Sequence, residues 1–294
     1  MSQYPKVSMS LIQHLKLLIS MKKRLVLFIS GLIVLLMGGF IFTQTAVAFP
    51  PEAPAYEEQL SEEQPLDSSL YLIEKRIFQA FVQGIMSKDP QALLAIEEEL
   101  DLLFQTSKQA LAQYWLSYAL YYESILHLQL SQQEEAERAV TQAIEGIESL
   151  KAMNSEDYAL LALMKSFSIQ FAAPMKAPLI SGKSKKLANR ALAIDERNPR
   201  AYYVLASNDF YTPEQYGGGK VAEGYLNKCL ALPAQAVENP YLPSWGRVLA
   251  HEMMLKLLMR QERWEDAKAH FKVANQEFPD SYQITQLGAE LVSR

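Results

Sequence analysis

The chain carries a single cysteine, Cys229, so no internal disulfide can form and stability has to come from packing. Histidine is nearly as scarce. His14, His127 and His270 are scattered and share no metal-ligand spacing, while His251-Glu252 opens like a zinc-protease helix but has Leu255 where the second histidine belongs. No GxSxG elbow occurs, and Cys229 stands where a helical repeat wants a small buried residue, which makes it an inert thiol rather than a nucleophile. Strand periodicity is absent, and with it any βαβ unit. Positive charge is short as well. The formal net charge is −5, yet residues 1–48 hold five basic residues and no acidic one, so the 23 basic and 33 acidic residues that remain leave −10. An acidic body argues against nucleic acid and against tight binding to anionic membrane surfaces. These absences predict no catalytic residue, no cofactor and no metal.

What the sequence does contain begins with an export signal. Met21-Lys22-Lys23-Arg24 forms a positive n-region, residues 25–42 an apolar run, and Ala46-Val47-Ala48 a small-x-small cleavage motif. The order predicts cleavage after Ala48 and a body outside the cytoplasm, periplasmic or cell-envelope. Residues 1–20 precede a complete signal, which makes Met21 the alternative start. The rival reading is an uncleaved membrane anchor, because the run reaches about 18 apolar residues, the length at which spanning begins. No cysteine lies near the signal's end, which excludes a bacterial lipoprotein. Residues 49–67 are rich in Pro and Glu and read as a disordered acidic linker.

From residue 68 onward the apolar spacing is helical. Ala201, Leu205 and Ala206 recur three or four apart, a Pro/Gly-rich break follows, and Ala222, Leu226, Cys229 and Leu230 resume the spacing. Such a hairpin cannot bury its apolar face alone, so stacked copies are expected. The chain supplies them: hairpins over about 108–150, 156–195, 199–232 and 245–279, then a capping helix over 281–293, within one helical-repeat domain of residues 68–294. The second of these hairpins is expected to carry an insertion over 172–183 and to resume as a helix at Ser184. Small residues align between copies, with Ala136, Val140 and Ala143 matched by Ser184, Ala188 and Ala191, by Ala222, Leu226 and Cys229, and by Ala267, Phe271 and Ala274 before Pro279. This is tetratricopeptide-like spacing, although the copies stand further apart than the usual period of about 34 residues. The predicted fold is therefore an all-α, tetratricopeptide-like helical-hairpin solenoid with extended inter-helix turns. Glu97, Glu98 and Glu99 are consecutive, splay around their helix and read as a solvated face.

The stretches NPRAYYVLASNDFYTPEQYGGGK, FAAPMKAPLISGKSKKLANRALAID and PYLPSWGRVLAHEMM resemble a family of exported tetratricopeptide-repeat proteins common in Bacteroidetes-type bacteria. The resemblance covers roughly residues 113–281 and is most specific in the long GGGK turn and the PSWG opening of the last hairpin. It implies the fold and export, and no activity. More distantly, the GGGK turn is similar to that of the T component of TRAP-type solute transporters, a periplasmic helical-repeat protein that partners a solute-binding subunit, usually as a lipoprotein. This chain lacks the lipoprotein cysteine.

Two turns and one face are the candidate binding elements. Residues 177–184, APLISGKS, fit a relaxed phosphate-loop pattern, but a helix precedes them and Pro178 removes an amide, so a helix start capped by Ser181 or Ser184 is expected instead. Gly217, Gly218, Gly219 and Lys220 form a turn whose glycines permit φ > 0, packed under Tyr211 and Tyr216. Its amides, at the start of a helix, can alternatively bind a carboxylate or other anion. Lys183 and Lys220 end the two insertions and are expected to share one rim. The first helix of each hairpin lines the concave face in this architecture, which places Tyr118, Tyr121, Tyr203, Ser207, Phe210, Glu252 and Lys256 near one groove. Core packing is the competing account of each tyrosine. The function expected is that of an exported, non-enzymatic scaffold binding an unidentified envelope protein or peptide. A small-solute-binding or transporter-accessory role is the alternative.

Overall fold

The computed structural model describes residues 67–233 and 239–292. The expected signal segment and almost all of the expected acidic linker lie outside these residues. Among the described residues no helix is long and apolar enough to cross a membrane.

The described chain is all-α and folds as five successive hairpins. Helix α1 (Ile73–Ser87) pairs with α2 (Gln91–Ser107), α3 (Ala110–Gln129) with α4 (Gln133–Glu148), α5 (Ser155–Phe167) with α6 (Ala177–Ile194), α7 (Pro199–Tyr211) with α8 (Ala222–Ala231), and α9 (Arg247–Arg260) with α10 (Trp264–Glu277). Helix α11 (Tyr282–Val292) closes the array against α9 and α10. All described residues except 173–175 belong to one compact unit. The first helices α1, α3, α5, α7 and α9 pack on one another in succession, and each second helix packs on its own partner and on the next first helix. The result is the tetratricopeptide-like solenoid that the spacing predicts.

The two layers bury different surfaces. Inner helices α3, α5, α7 and α9 are enclosed almost all round, whereas outer helices such as α6 and α10 bury one narrow stripe. That stripe is made of the small residues seen in the internal alignment. Ala136, Ala139, Ala143, Ser184, Ala188, Ala191, Ala222, Cys229, Ala267 and Ala274 have no exposed surface, so paired helices approach closely at each crossing. Gly146 continues the stripe: a Cβ there would stand 2.3 Å from Gln113 Nε2 and 2.8 Å from Ser117 Oγ. Close approach also lets serine hydroxyls reach across. Ser124 Oγ donates to the Ala136 carbonyl at 2.6 Å, Ser184 Oγ to Ala162 at 2.7 Å and Ser155 Oγ to Ala191 at 2.9 Å, which keeps these buried hydroxyls satisfied.

Two inner helices start on side-chain caps. Asn154 Oδ1 accepts from the amides of Glu156 and Asp157 while the Asp157 carboxylate accepts from the Asn154 amide, a full capping box for α5. Asn198 accepts from the amides of Arg200 and Ala201, and Pro199 sits at the first helical position of α7.

The structure corrects three local expectations. Helix α6 begins at Ala177, seven residues before the expected start at Ser184, with Pro178 in its first turn where the missing amide costs nothing. The phosphate-loop-like stretch is thus helical, neither Ser181 nor Ser184 caps it, and Lys183 is an exposed residue within α6 rather than the end of a turn beside Lys220. Glu97 is not on a solvated face. It is buried against α3, its Oε1 has no hydrogen-bond partner, and burial, followed by the charge of Glu123, pushes its carboxyl up to about 9. Glu99, by contrast, pairs with Arg76 on α1.

Candidate functional site

One end of the inner helices is crossed by a strap that the sequence does not announce. Residues 239–246, the connection into α9, lie across the N-terminal ends of the inner helices and are tied to them by hydrogen bonds. The Leu72 amide donates to the Pro240 carbonyl at 2.9 Å, Trp115 Nε1 to the Tyr241 carbonyl at 2.9 Å, and the Ser244 amide to Glu74 Oε2 at 2.6 Å. Trp245 Nε1 donates to the Tyr114 hydroxyl at 2.7 Å, and the Trp245 ring stacks on Tyr118 with centroids 6.0 Å apart. Under the strap lies Arg200, 1% exposed, its guanidinium paired through two nitrogens with Glu156 and set 6.0 Å from the Trp245 ring. Burial alone would lower the Arg200 guanidinium, but Glu156 more than offsets it and the group stays charged. Glu74 is raised by burial, against the opposing pull of the Ser244 amide and of Arg200. Gly246, at φ +107°, turns the chain into α9 with Arg200 Cγ 3.2 Å from the place a Cβ would occupy.

Beyond the strap the face stays open and aromatic. From Tyr118, ring contacts run through Tyr122 at 5.0 Å to Phe81 at 5.0 Å and Phe78 at 6.3 Å on α1, and through Tyr121 at 6.5 Å to Phe167 at 5.1 Å and then Phe171 at 5.9 Å. Tyr121, Tyr122, Phe81, Phe167 and Phe171 are partly exposed, and Phe78, Val82, Ile85 and Met86 continue an exposed apolar stripe along α1. The Tyr118 hydroxyl donates to that of Tyr122 at 3.4 Å. Burial pushes the Tyr122 phenol up to about 12, helped by the charges of Glu74 and Glu252, and raises Tyr121 and Tyr203 too. Tyr203 on α7 lies within electrostatic reach of Tyr121, Tyr211 and Glu252, so α3, α7 and α9 converge here.

The expected groove residues divide accordingly. Tyr118, Tyr121, Tyr203 and Glu252 are brought together, and Tyr211, more than half exposed, stands at their edge. Tyr118, Tyr203, Ser207 and Glu252 are nevertheless buried, and Phe210 belongs to the core: its ring lies under Arg260, 3.7 Å from centroid to guanidinium, and its carbonyl accepts from Arg260 Nη1. Lys256 is exposed and reaches Glu252 at 3.5 Å, one turn away.

In the glycine turn the anion site is already filled from within the chain. Asp209 Oδ2 accepts from the amides of Val221 at 2.9 Å and Ala222 at 2.8 Å, at the start of α8, and the Asp209 carbonyl accepts from Gly219. The amides of Gly217 and Gly218 bond to the carbonyls of Glu214 and Pro213. Gly217 and Gly219 have φ +87° and +76°, as a tight turn requires, and Tyr211, Tyr216 and Lys220 beside them are exposed. Asp209 thus does the work of a helix N-cap from twelve residues away. Asp209→Ala is expected to cost about 0.5–2 kcal/mol, the range for losing such a cap, and Asp209→Asn clearly less, when the two are compared by urea unfolding.

Two of the histidines come together. His251 on α9 and His270 on α10 face each other with His251 Nδ1 3.1 Å from His270 Nε2, and His251 Nε2 lies 3.1 Å from Glu277 Oε2. Burial lowers both imidazoles, His270 to about 4, so both are neutral at neutral pH. Cys229 is buried, as its place in the repeat predicts, and burial pushes its thiol up to about 12.

No family model and no characterised protein matches the chain in sequence. Solved structures resemble it in fold. The chain is similar to the HusA haemophore from Porphyromonas gingivalis, at 22% identity over 66% of this chain and 96% of that one, with a TM-score of 0.47. It is also similar to a thermophilic TPR protein of Thermus thermophilus (13% identity, 74% and 100% covered, TM-score 0.48) and to the S. pombe nuclear import adaptor Nro1 (17%, 76% and 82%, TM-score 0.41). At such identities the likeness concerns the fold alone, and the fold rests on the hairpins themselves.

Missed by sequence reasoning were Glu74, Tyr114, Glu156, Arg200 and Trp245. One signal was there to be read. An arginine in the first turn of α7 opposes the helix dipole and asks for a carboxylate partner.

Proposed function

We propose that this chain is an exported, non-enzymatic interaction scaffold of the cell envelope that holds an extended segment of a partner polypeptide along the open aromatic part of its inner face. The observation that carries this reading is the strap. In residues 239–246 the inner helices already hold a non-helical segment built of turns and bends, gripping its backbone with Glu74 and Trp115 and its aromatic side chain with Tyr114 and Tyr118. The same surface continues past Tyr118 as partly exposed rings and tyrosine hydroxyls, the combination that supplies both apolar area and backbone hydrogen bonds to a bound segment. The order of motifs in residues 21–48 and the resemblance to exported repeat proteins support the location. The transporter-accessory alternative leans on anion binding by the glycine turn, whose amides are engaged by Asp209 and by neighbouring carbonyls.

Site-specific photo-crosslinking in the native host tests this. A benzophenone amino acid at Phe78 or Tyr211, both exposed on the groove side, is expected to give a discrete polypeptide adduct, and one at Glu137 on the outer helix α4 is expected to give none. Equal labelling from Glu137, or none from either groove position, would overturn the reading.

A further inference from the structure

The last hairpin holds a cluster that neither the fold nor the groove requires. The rings of His251 and His270 have centroids 5.0 Å apart and planes 36° apart, with one nitrogen of each directed at the other. His251 Nε2 faces Glu277, a carboxylate held below its usual range by hydrogen bonds from Arg247 and then His251, which outweigh its partial burial. An ionised carboxylate only accepts, so His251 carries its proton on Nε2 and turns the lone pair of Nδ1 toward His270. In the neutral pair His270 fills that space by donating its own Nε2 proton. With that proton on Nδ1 of His270 instead, two imidazole lone pairs converge on one point, and no net proton is released.

We propose that His251 Nδ1 and His270 Nε2 form a two-imidazole binding site for a late first-row divalent transition metal of the copper, nickel and zinc group. Imidazole is the ligand these ions share. A metal at the usual 2.0–2.1 Å from each nitrogen would subtend about 95–100° across the observed 3.1 Å separation, close to the right angle of tetragonal copper. The surroundings are those of an oriented ligand. Glu277 is the carboxylate behind the metal-facing imidazole, Arg247 fixes that carboxylate while also donating to the carbonyls of Leu230 and Leu232, and the Phe278 ring packs on His251 at 5.8 Å. His251 is fully buried and His270 partly exposed, so the remaining coordination positions open to solvent past His270. No group of three or more ligating residues occurs among the described residues, so water or an outside ligand would complete the shell.

Copper(II) titrated into the full-length chain in detergent, followed by electron paramagnetic resonance, decides the matter. One equivalent is expected to give a signal with superhyperfine structure from two imidazole nitrogens. The signal should vanish in His270→Asn, persist in His127→Asn and His14→Asn, and need about tenfold or more copper in Glu277→Gln, which keeps both ligands but loosens their orientation. Far-ultraviolet circular dichroism of each variant establishes that it is folded. The absence of a nitrogen-split signal from the native chain, or its persistence in folded His270→Asn, would show that the pair is only a structural hydrogen bond.

Discussion

Arg200→Ala will lower the unfolding free energy by about 3–5 kcal/mol, the range for removing one partner of a buried ion pair. Arg200 is 1% exposed, and its guanidinium is the positive charge that Glu156 pairs with and that opposes the burial of Glu74 beneath the strap. Alanine leaves the carboxylate of Glu156 largely buried and unpaired, takes away the planar group beside Trp245, and opens space under residues 239–246. For a domain of this size the loss corresponds to a fall in melting temperature of roughly 6–20 °C. The double variant Arg200→Met with Glu156→Met separates two accounts. If the cost of Arg200→Ala is an uncompensated charge, the double variant recovers most of it, because apolar replacement of a buried pair is often neutral. If the pair positions the strap through hydrogen bonds, the double variant stays destabilised and Trp245 emission shifts to the red. A loss below about 1 kcal/mol in the single variant would mean that water reaches the pair and that the strap does not depend on it.

How much of this was legible beforehand depended on which layer a residue occupies. Outer helices bury one stripe, so their Ala and Ser positions repeat visibly and reveal the hairpins. Inner helices are enclosed on nearly every side and spend buried positions on Ser124 and Asn208, which bond across crossings, and on Ser117 and Asp157, which bond within their own helices, so their period is blurred and their polar core residues look like surface. The start of α6 was misplaced because Pro178 and Gly182 resemble breakers. Proline in a first turn is a helix starter, and Gly182 lies exposed with no neighbour near its missing Cβ, so the helix runs through it. The groove tyrosines followed from the rule that first helices face inward, but their depth did not, because the strap that covers Tyr118 comes from a stretch more than a hundred residues away. His251 and His270 escaped for a related reason. They are nineteen residues apart on antiparallel helices, a separation that no ligand-spacing motif encodes.

Within the glycine turn, Gly218 rather than its neighbours will prove the intolerant position. Gly217 and Gly219 have positive φ and nothing within 4 Å of the place a Cβ would occupy, so alanine at either costs only the left-handed backbone, about 1–2 kcal/mol. Gly218 has no such backbone demand. Its Cβ, however, would stand 1.9 Å from the Thr212 carbonyl oxygen and 2.5 Å from its carbon, a collision with main chain that no rotamer relieves. Thr212 cannot retreat easily, because its amide bonds to Asn208 and Asp209 and its hydroxyl to the Asn208 carbonyl at 2.7 Å. Gly218→Ala is therefore expected to cost about 3 kcal/mol, the upper part of the range for overpacking, or to release the turn altogether. Hydrogen exchange distinguishes these outcomes. If the turn is released, the amides of Val221 and Ala222, which depend on Asp209, exchange faster while those of α9 are unchanged; if the strain is shared, protection falls throughout α7 and α8. A smaller loss for Gly218→Ala than for Gly217→Ala would contradict the close approach. Either permitted outcome assigns the glycine run the same physical role, that of folding the chain tightly back after α7 so that Tyr211 is held at the edge of the aromatic face, where a bound segment would meet it.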